Sequence, residues 1–267
     1  MKKSKVVLLL ALSLLAAASQ KANAPERSPA EPAAVAQRGL WQKALDVYRK
    51  NRDWYPERIA ILSEVLNRHG QPYSVTELFF AIHMSPGGSL RTELVRALKN
   101  GEDTTEKMRS KVAIHDPGEG MGTGKEDTYS VSISDSPFDP ERQKFVTARA
   151  NGERKNLFGH ACRRFDFSYR TAIVRKGEAE ELTWTGMAWL EEGSGVPVKL
   201  EFSLAPLPSR IRSLWTIYLY ETARPGQWVV KKVAISGQGG FLFIKKRFRT
   251  TTTFSNYRLP PPKKEKS

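Results

Sequence analysis

The side chains best suited to proton transfer or metal ligation are His69, His83, His115 and His160. Their spacing argues against both roles: no two lie one helical turn apart, none sits in a zinc-knuckle pairing, and no metal site is expected. A hydrolytic relay would have to be assembled from distant groups, for example Ser168 or Ser236 with His160 and Asp166. No Gly-x-Ser-x-Gly elbow exists to present either serine. The run Gly118-Glu119-Gly120-Met121-Gly122-Thr123-Gly124-Lys125 has the glycines that let backbone amides close on phosphate. The spacing fails, because Glu119 stands where the first glycine is needed and Glu126 where a Mg-binding hydroxyl is needed. That segment reads as a loop, able to gate a cavity. The expectation is a protein without catalysis, metal or cofactor.

The aromatic residues are more informative. Trp184, Trp189, Phe202, Trp215, Tyr218, Tyr220, Trp228, Phe241, Phe243, Phe248 and Phe254 concentrate in the C-terminal half, and each can bury about 150 to 250 Å². They form either an ordinary core or the lining of a ligand cavity. The segment Thr185 to Leu190, a turn from Glu191 to Gly195 and a return from Val196 to Phe202 read as a hairpin. On the return, Val198, Leu200, Phe202 and Leu204 fall on one side, and Lys199, Glu201 and Ser203 on the other. Alternation extends this candidate ligand-binding set to Trp215, Ile217 and Leu219, then Val229 and Val233, then Leu242, Ile244 and Phe248. A one-residue register error would flip any of these groups to the opposite face.

The elements that must carry these residues are mostly strands. Leu40, Ala44, Leu45 and Tyr48 recur at helical spacing and predict a helix over 38–52. A second short helix is expected over 104–114, capped by Thr104 or Thr105. Strands are expected over 59–66, 73–84, 90–98, 129–133, 145–149, 162–169, 171–176, 181–190, 196–204, 213–221, 228–235 and 240–254, with Asn67 to Gly70, Ser85 to Gly88 and Asn100-Gly101 as turns. So many hairpin-like links favour one strongly curved antiparallel sheet over a parallel α/β arrangement. Two short helices leave part of such a sheet uncovered, and a dry cavity is the natural remainder.

The ends have other roles. Lys2, Lys3 and Lys5, the apolar run Val6 to Leu15 and the small residues after it form a secretory signal peptide over 1–24. Its apolar core is shorter than the roughly 20 residues of a spanning helix, so a soluble periplasmic protein is expected. A Pro- and Ala-rich flexible lead follows over 25–37, one domain over 38–258, and a basic tail over 259–267. Cys162 is the only cysteine, so the core and not internal disulfides must stabilise the chain. The formal charge of +15 falls to +11 without Lys2, Lys3, Lys5 and Lys21, which favours anionic partners. Outside the cytoplasm these are phospholipid and glycolipid head groups and cell-wall polymers rather than nucleic acid. Arg163-Arg164, Lys245-Lys246-Arg247-Arg249 and Lys263-Lys264-Lys266 are the basic clusters.

Several segments together resemble the bacterial outer-membrane lipoprotein-sorting family, which shares the half-barrel fold of the lipoprotein carrier LolA. They are Gly70 in its turn, Thr92-Glu93-Leu94 leading to Asn100-Gly101-Glu102-Asp103-Thr104-Thr105, Gly159-His160-Ala161-Cys162, Thr185-Gly186-Met187-Ala188-Trp189-Leu190 with Gly195-Val196-Pro197, and Phe254-Ser255-Asn256-Tyr257-Arg258. The resemblance implies a mainly β protein, an open half-barrel with helices on its concave side, accepting acyl chains in the periplasm. It implies that the helix at 38–52 and the segment at 104–114 act as plug or lid. The hallmark arginine of the carrier has no counterpart that can be placed here. The expected function is a carrier for a lipid or acylated lipoprotein, with basic residues meeting an anionic membrane surface. The alternative is an envelope interaction or sensor module of the same fold, binding a protein partner through an edge strand or the basic tail.

Overall fold

The computed structural model describes residues 35–84, 90–109, 136–175, 178–207, 211–241 and 244–260. Helix α1 is Val35–Asn51. It is followed by strands β1 (Tyr55–Leu66), β2 (Pro72–Met84), β3 (Leu90–Lys99) and β4 (Glu102–Asp103) and by the one-turn helix α2 (Thr105–Arg109). A 3-10 helix, Pro140–Phe145, leads into β5 (Val146–Leu157), β6 (His160–Arg175), β7 (Glu178–Glu191), β8 (Pro197–Ala205), β9 (Ile211–Arg224), β10 (Gln227–Phe241) and β11 (Ile244–Arg258). The strands form one open sheet in the order β4-β3-β2-β1-β11-β10-β9-β8-β7-β6-β5, not closed into a barrel, and every described pairing is antiparallel. The expected class, mainly β with a few helices and an open antiparallel sheet, is what the chain adopts.

Several expected boundaries change. The strands expected at 162–169 and 171–176 are one continuous strand, β6, whose partners on β7 run without interruption from Glu191 to Glu178. β5 runs past Ala150 through an irregularity to Leu157, beyond the expected 145–149. Asp139 caps the 3-10 helix by accepting from the Glu141 N–H, with Pro140 in its first turn. The strand expected at 129–133, the loop at 115–125, the turn at 85–88, the signal peptide and the basic tail lie outside the described residues. No described helix is long and apolar enough to cross a membrane.

The chain divides into two compact units. The first contains the described residues from 53 to 109 and from 231 to 260. Its register aligns Val233, Thr252, Ile61, Leu78 and Ala97 in one row, and Phe254, Ile59, Phe80 and Leu94 in another, all buried. In the next row beyond Ile61 the hydroxyls of Ser63 and Thr250 bond each other at 2.9 Å, which satisfies two of the polar groups in this dry face. On the opposite face Arg249 grips Glu64 through two bonds of 2.6 and 3.0 Å. The Asn100-Gly101 turn has φ of 51° and 85°, as its sequence demands, and the Asn100 side chain accepts from the Val75 N–H at 2.8 Å. Thr104 accepts a bond from Met108 through its carbonyl, and Asp103 accepts from the Thr105 N–H, so α2 starts where expected.

The second unit contains the described residues from 35 to 52 and from 136 to 230. Here α1 buries Trp41, Ala44 and Leu45, at the i, i+3, i+4 spacing of one helix stripe, while Leu40 and Tyr48 are half-buried. Trp41 packs on Phe138 and Phe165 at 4.9 and 5.6 Å between ring centroids, and its indole N–H donates to Gln143 at 3.1 Å. The other end is tied down by Asn51, whose amide donates to the Val47 carbonyl at 2.8 Å and accepts from the Trp228 N–H at 3.1 Å.

Candidate functional site

The aromatic residues of the second unit assemble by register. Phe167, Gly186, Phe202 and Thr216 are successive partners on β6, β7, β8 and β9. The row on one side is Tyr169, Trp184 and Leu204; the row on the other is Phe165, Ala188, Leu200 and Tyr218. Antiparallel partners project to the same side of a sheet, so these side chains form one aromatic and aliphatic face. Phe202 is its centre, with Trp184 edge-on at 4.9 Å, Tyr218 stacked at 5.5 Å and Phe167 edge-on at 6.4 Å. Trp41 of α1 closes the Phe165 end.

Leu200, Phe202 and Leu204 thus share a buried face as the alternation on β8 predicts. On β9 the expectation is corrected: Thr216 and Tyr218 partner Phe202 and Leu200, whereas Ile217 and Leu219 partner Glu201 and Lys199 on the opposite side. Leu214 is buried and Trp215 is 36% exposed. The reason is that β9 carries apolar residues at both parities, so its pattern cannot choose a face; pairing with β8 does. Val198 lies at an irregularity between the Trp189–Lys199 and Leu190–Pro197 pairs. It packs into a separate cluster with Cys162, Trp189 and Trp228. Val229 is buried in this unit, Val233 and Phe248 are buried in the other, and Leu242 and the side chain of Ile244 lie outside the described residues. Sequence reasoning missed Phe165, Phe167 and Tyr169 on β6, although their i, i+2, i+4 spacing carries the signal, and it missed Trp41.

A polar network flanks the β7–β8 hairpin. Glu191 pairs with His160 Nδ1 at 2.7 Å, and the Ser194 hydroxyl donates to its other oxygen. The His160 ring stands edge-on to Trp228 at 5.4 Å, and the Trp228 indole donates to the Pro197 carbonyl. Gly195, at φ 76°, abuts α1: a Cβ there would lie 3.1 Å from the Leu40 carbonyl oxygen and 3.3 Å from the Ala44 nitrogen. Lys43 completes the junction by donating to the Gly193 carbonyl at 2.9 Å.

In this network a carboxylate sits between hydroxyl and imidazole, the wrong order for an imidazole to take a serine proton. The relay through Ser168 does not converge. Ser168 and His160 are eight residues apart on β6, about 26 Å along an extended strand, and Asp166 accepts from Arg164 at 2.8 Å. Among the described residues no three His, Cys, Asp or Glu side chains group as a metal would need. Burial pushes the Cys162 thiol up, which keeps it protonated and inert.

The hydrogen bond from His160, then that from Ser194, holds the Glu191 carboxyl below the usual glutamate range. The unfolded chain therefore binds a proton at Glu191 more readily than the folded one. The network's contribution is present above the ordinary glutamate value and is lost as pH falls through it towards the depressed value. With the carboxylate 30% exposed, that contribution is at most about 1 kcal/mol. Urea unfolding of wild type and Glu191→Gln between about pH 6 and pH 3 should show the two stabilities converging on acidification.

Part of the basic excess is balanced internally. Arg163 and Arg154 both approach Glu192, at 3.5 and 2.9 Å, Arg164 pairs with Glu153 and Asp166, and Arg249 with Glu64. The expected basic clusters at 163–164 and 245–249 are therefore partly engaged with carboxylates of their own sheet.

No family model matches the chain, and no curated protein matches it. Among solved structures it is similar to a DUF1329 family protein from Desulfovibrio piger, at 11% identity and a TM-score of 0.34, covering 84% of this chain and 92% of that one. It is also similar to MucB in complex with MucA(peri), at 8% identity and a TM-score of 0.22. A Pseudomonas aeruginosa MucA/MucB complex gives 10% identity and a TM-score of 0.22; both of these matches cover 85% of this chain and 100% of that one. At these scores the likenesses carry no functional inference.

Proposed function

We propose that the chain is a non-catalytic binding protein of the cell envelope, exported to the periplasm, that holds the acyl chain of a lipid or acylated protein. The observation that carries this reading is the continuous face built by Phe167, Trp184, Phe202, Leu204 and Tyr218 across four neighbouring strands. Such a face needs no polar anchor to be useful, because each buried methylene contributes roughly 0.8 kcal/mol. α1, seated at the Phe165 end through Trp41, is the element placed to adjust access. Native mass spectrometry of protein purified from its own envelope fraction should show a co-purified acyl lipid, released and identified by solvent extraction. A protein that is reproducibly empty overturns the reading.

A protein partner is the second reading, favoured by β5. Among the described residues this twelve-residue strand pairs only with β6, and Thr147, Arg149 and residues 151–156 are exposed. A partner could add a strand there. The irregularity between Ala150 and Arg154 and the charges along the strand work against it, since bulges and lysines are what protect edges. If chemical crosslinking in intact envelopes captures a protein on β5 while extraction finds no lipid, this reading replaces the first.

A further inference from the structure

The aromatic face contains an enclosed polar group whose bonding is incomplete among the described residues. Trp184 Nε1 is enclosed and has no acceptor among the described residues. Buried indole N–H groups ordinarily find a partner, and an orphaned one carries the full desolvation cost of the donor. The other polar groups of its row are engaged: Tyr169, its register partner on β6, accepts a 2.8 Å bond from Arg142, and Arg142 also lies 3.4 Å from Asp139. The indole is therefore an enclosed donor left without an acceptor among the described residues, set beside Leu204, which is the penultimate residue of β8, and edge-on to Phe202.

The position of that donor matters as much as its existence. On β6 the face runs from Tyr169 to Phe165, about 13 Å of strand, and Trp41 closes the Phe165 end. The donor lies two rows from Phe165, in the Tyr169 row, and the buried Leu182 continues the face beyond it on β7. A chain laid along the face with its methyl terminus towards Trp41 brings its head to Trp184. The acceptor it offers there should be neutral, because the nearby guanidinium is already matched to Asp139 and an extra anion would be buried without a counter-charge.

We propose that Trp184 donates its indole N–H to the carbonyl oxygen at the head of a bound acyl chain, so that the face selects acyl esters and amides over ether-linked chains of equal length. This rests on the acyl-binding reading above. It adds a polar selectivity that apolar burial alone cannot give, since an ester and its ether analogue bury nearly the same surface.

The test compares three amphiphiles with the same headgroup: dodecanoyl lysophosphatidylcholine, its dodecyl ether analogue and the N-dodecanoyl amide analogue. Affinities are measured by calorimetry below micelle-forming concentrations, for wild type and Trp184→Phe. Wild type should bind the better of ester and amide about fivefold more tightly than the ether, and whichever is tighter points to glycerolipid or N-acylated protein as the natural source. Trp184→Phe should bind all three alike, near the wild-type affinity for the ether, and its unfolding transition establishes that it is folded. In the wild type, the Trp184 indole proton resonance should move downfield with the ester and not with the ether. Equal wild-type binding of ester and ether, or discrimination that survives in Trp184→Phe, overturns the hydrogen bond while leaving acyl binding intact. Failure of all three to bind removes the acyl-binding reading and this inference with it.

Discussion

Phe202→Glu is expected to lose co-purified lipid entirely and to destabilise the protein by more than about 3 kcal/mol. Phe202 is 5% exposed and touches three other rings, so the substitution removes the centre of the aromatic cluster and sets a carboxyl among apolar groups. Burial disfavours its charged form and raises its folded-state pKa above the unfolded value. The sign of the resulting pH effect is opposite to that of Glu191. The penalty is smallest below the ordinary glutamate value and grows as pH rises through it towards the raised value, because only then must the folded chain hold a buried charge or bind a proton that the unfolded chain releases. Denaturant unfolding should therefore show the gap between wild type and Phe202→Glu narrowing in acid. Phe202→Leu separates the two losses. It should stay folded and keep a reduced amount of lipid, and complete retention of lipid by a folded Phe202→Glu would sink the assignment of this face as the binding surface.

Gly186→Ala is expected to be strongly damaging for a single added methyl, costing about 3 kcal/mol or more. The cause is close approach and not backbone conformation. A Cβ on Gly186 would collide with the Glu201 carbonyl oxygen and come within 2.6 Å of both Cα and Cβ of Phe202. These are backbone-anchored atoms with no rotamer to retreat into, so β7 and β8 would have to separate at the middle of the aromatic face. Thermal unfolding should show a large drop in midpoint, and near-ultraviolet circular dichroism should show a weakened aromatic signal, since Trp184 and Phe202 are the first rings displaced. Alanine at Gly193, where a Cβ meets nothing within 4 Å, is the control and should change stability by no more than about 0.5 kcal/mol.

The β8 strand shows what pattern alone can settle. Val198-Lys199-Leu200-Glu201-Phe202-Ser203-Leu204 alternates cleanly, and the structure buries Leu200, Phe202 and Leu204 while Lys199 and Glu201 pair with each other at 2.6 Å on the other side. Turn chemistry was equally legible at Asn100-Gly101, because only residues tolerant of positive φ suit that link. β9 was not legible. Leu214 and Tyr218 compete with Trp215, Ile217 and Leu219, and both parities are apolar enough to face inward. Trp41 was missed for a related reason: the stripe through Leu40, Ala44 and Tyr48 is as apolar as the one through Trp41, Ala44 and Leu45, and contact with Phe138 and Phe165 decides between them.

Sequence by itself determined that this is a mainly β chain of antiparallel hairpins, that turns fall at Asn67 to Gly70 and Asn100-Gly101, and which way β8 faces, because those properties depend on local backbone preference and on period-two alternation. Tertiary structure alone decided that Gly186 lies against Phe202, that β9 turns Thr216 and Tyr218 to the aromatic face, and that the Trp184 indole is enclosed without an acceptor among the described residues. Each of these depends on which residue of a neighbouring strand stands opposite, and a register is a property of two strands that neither one encodes separately.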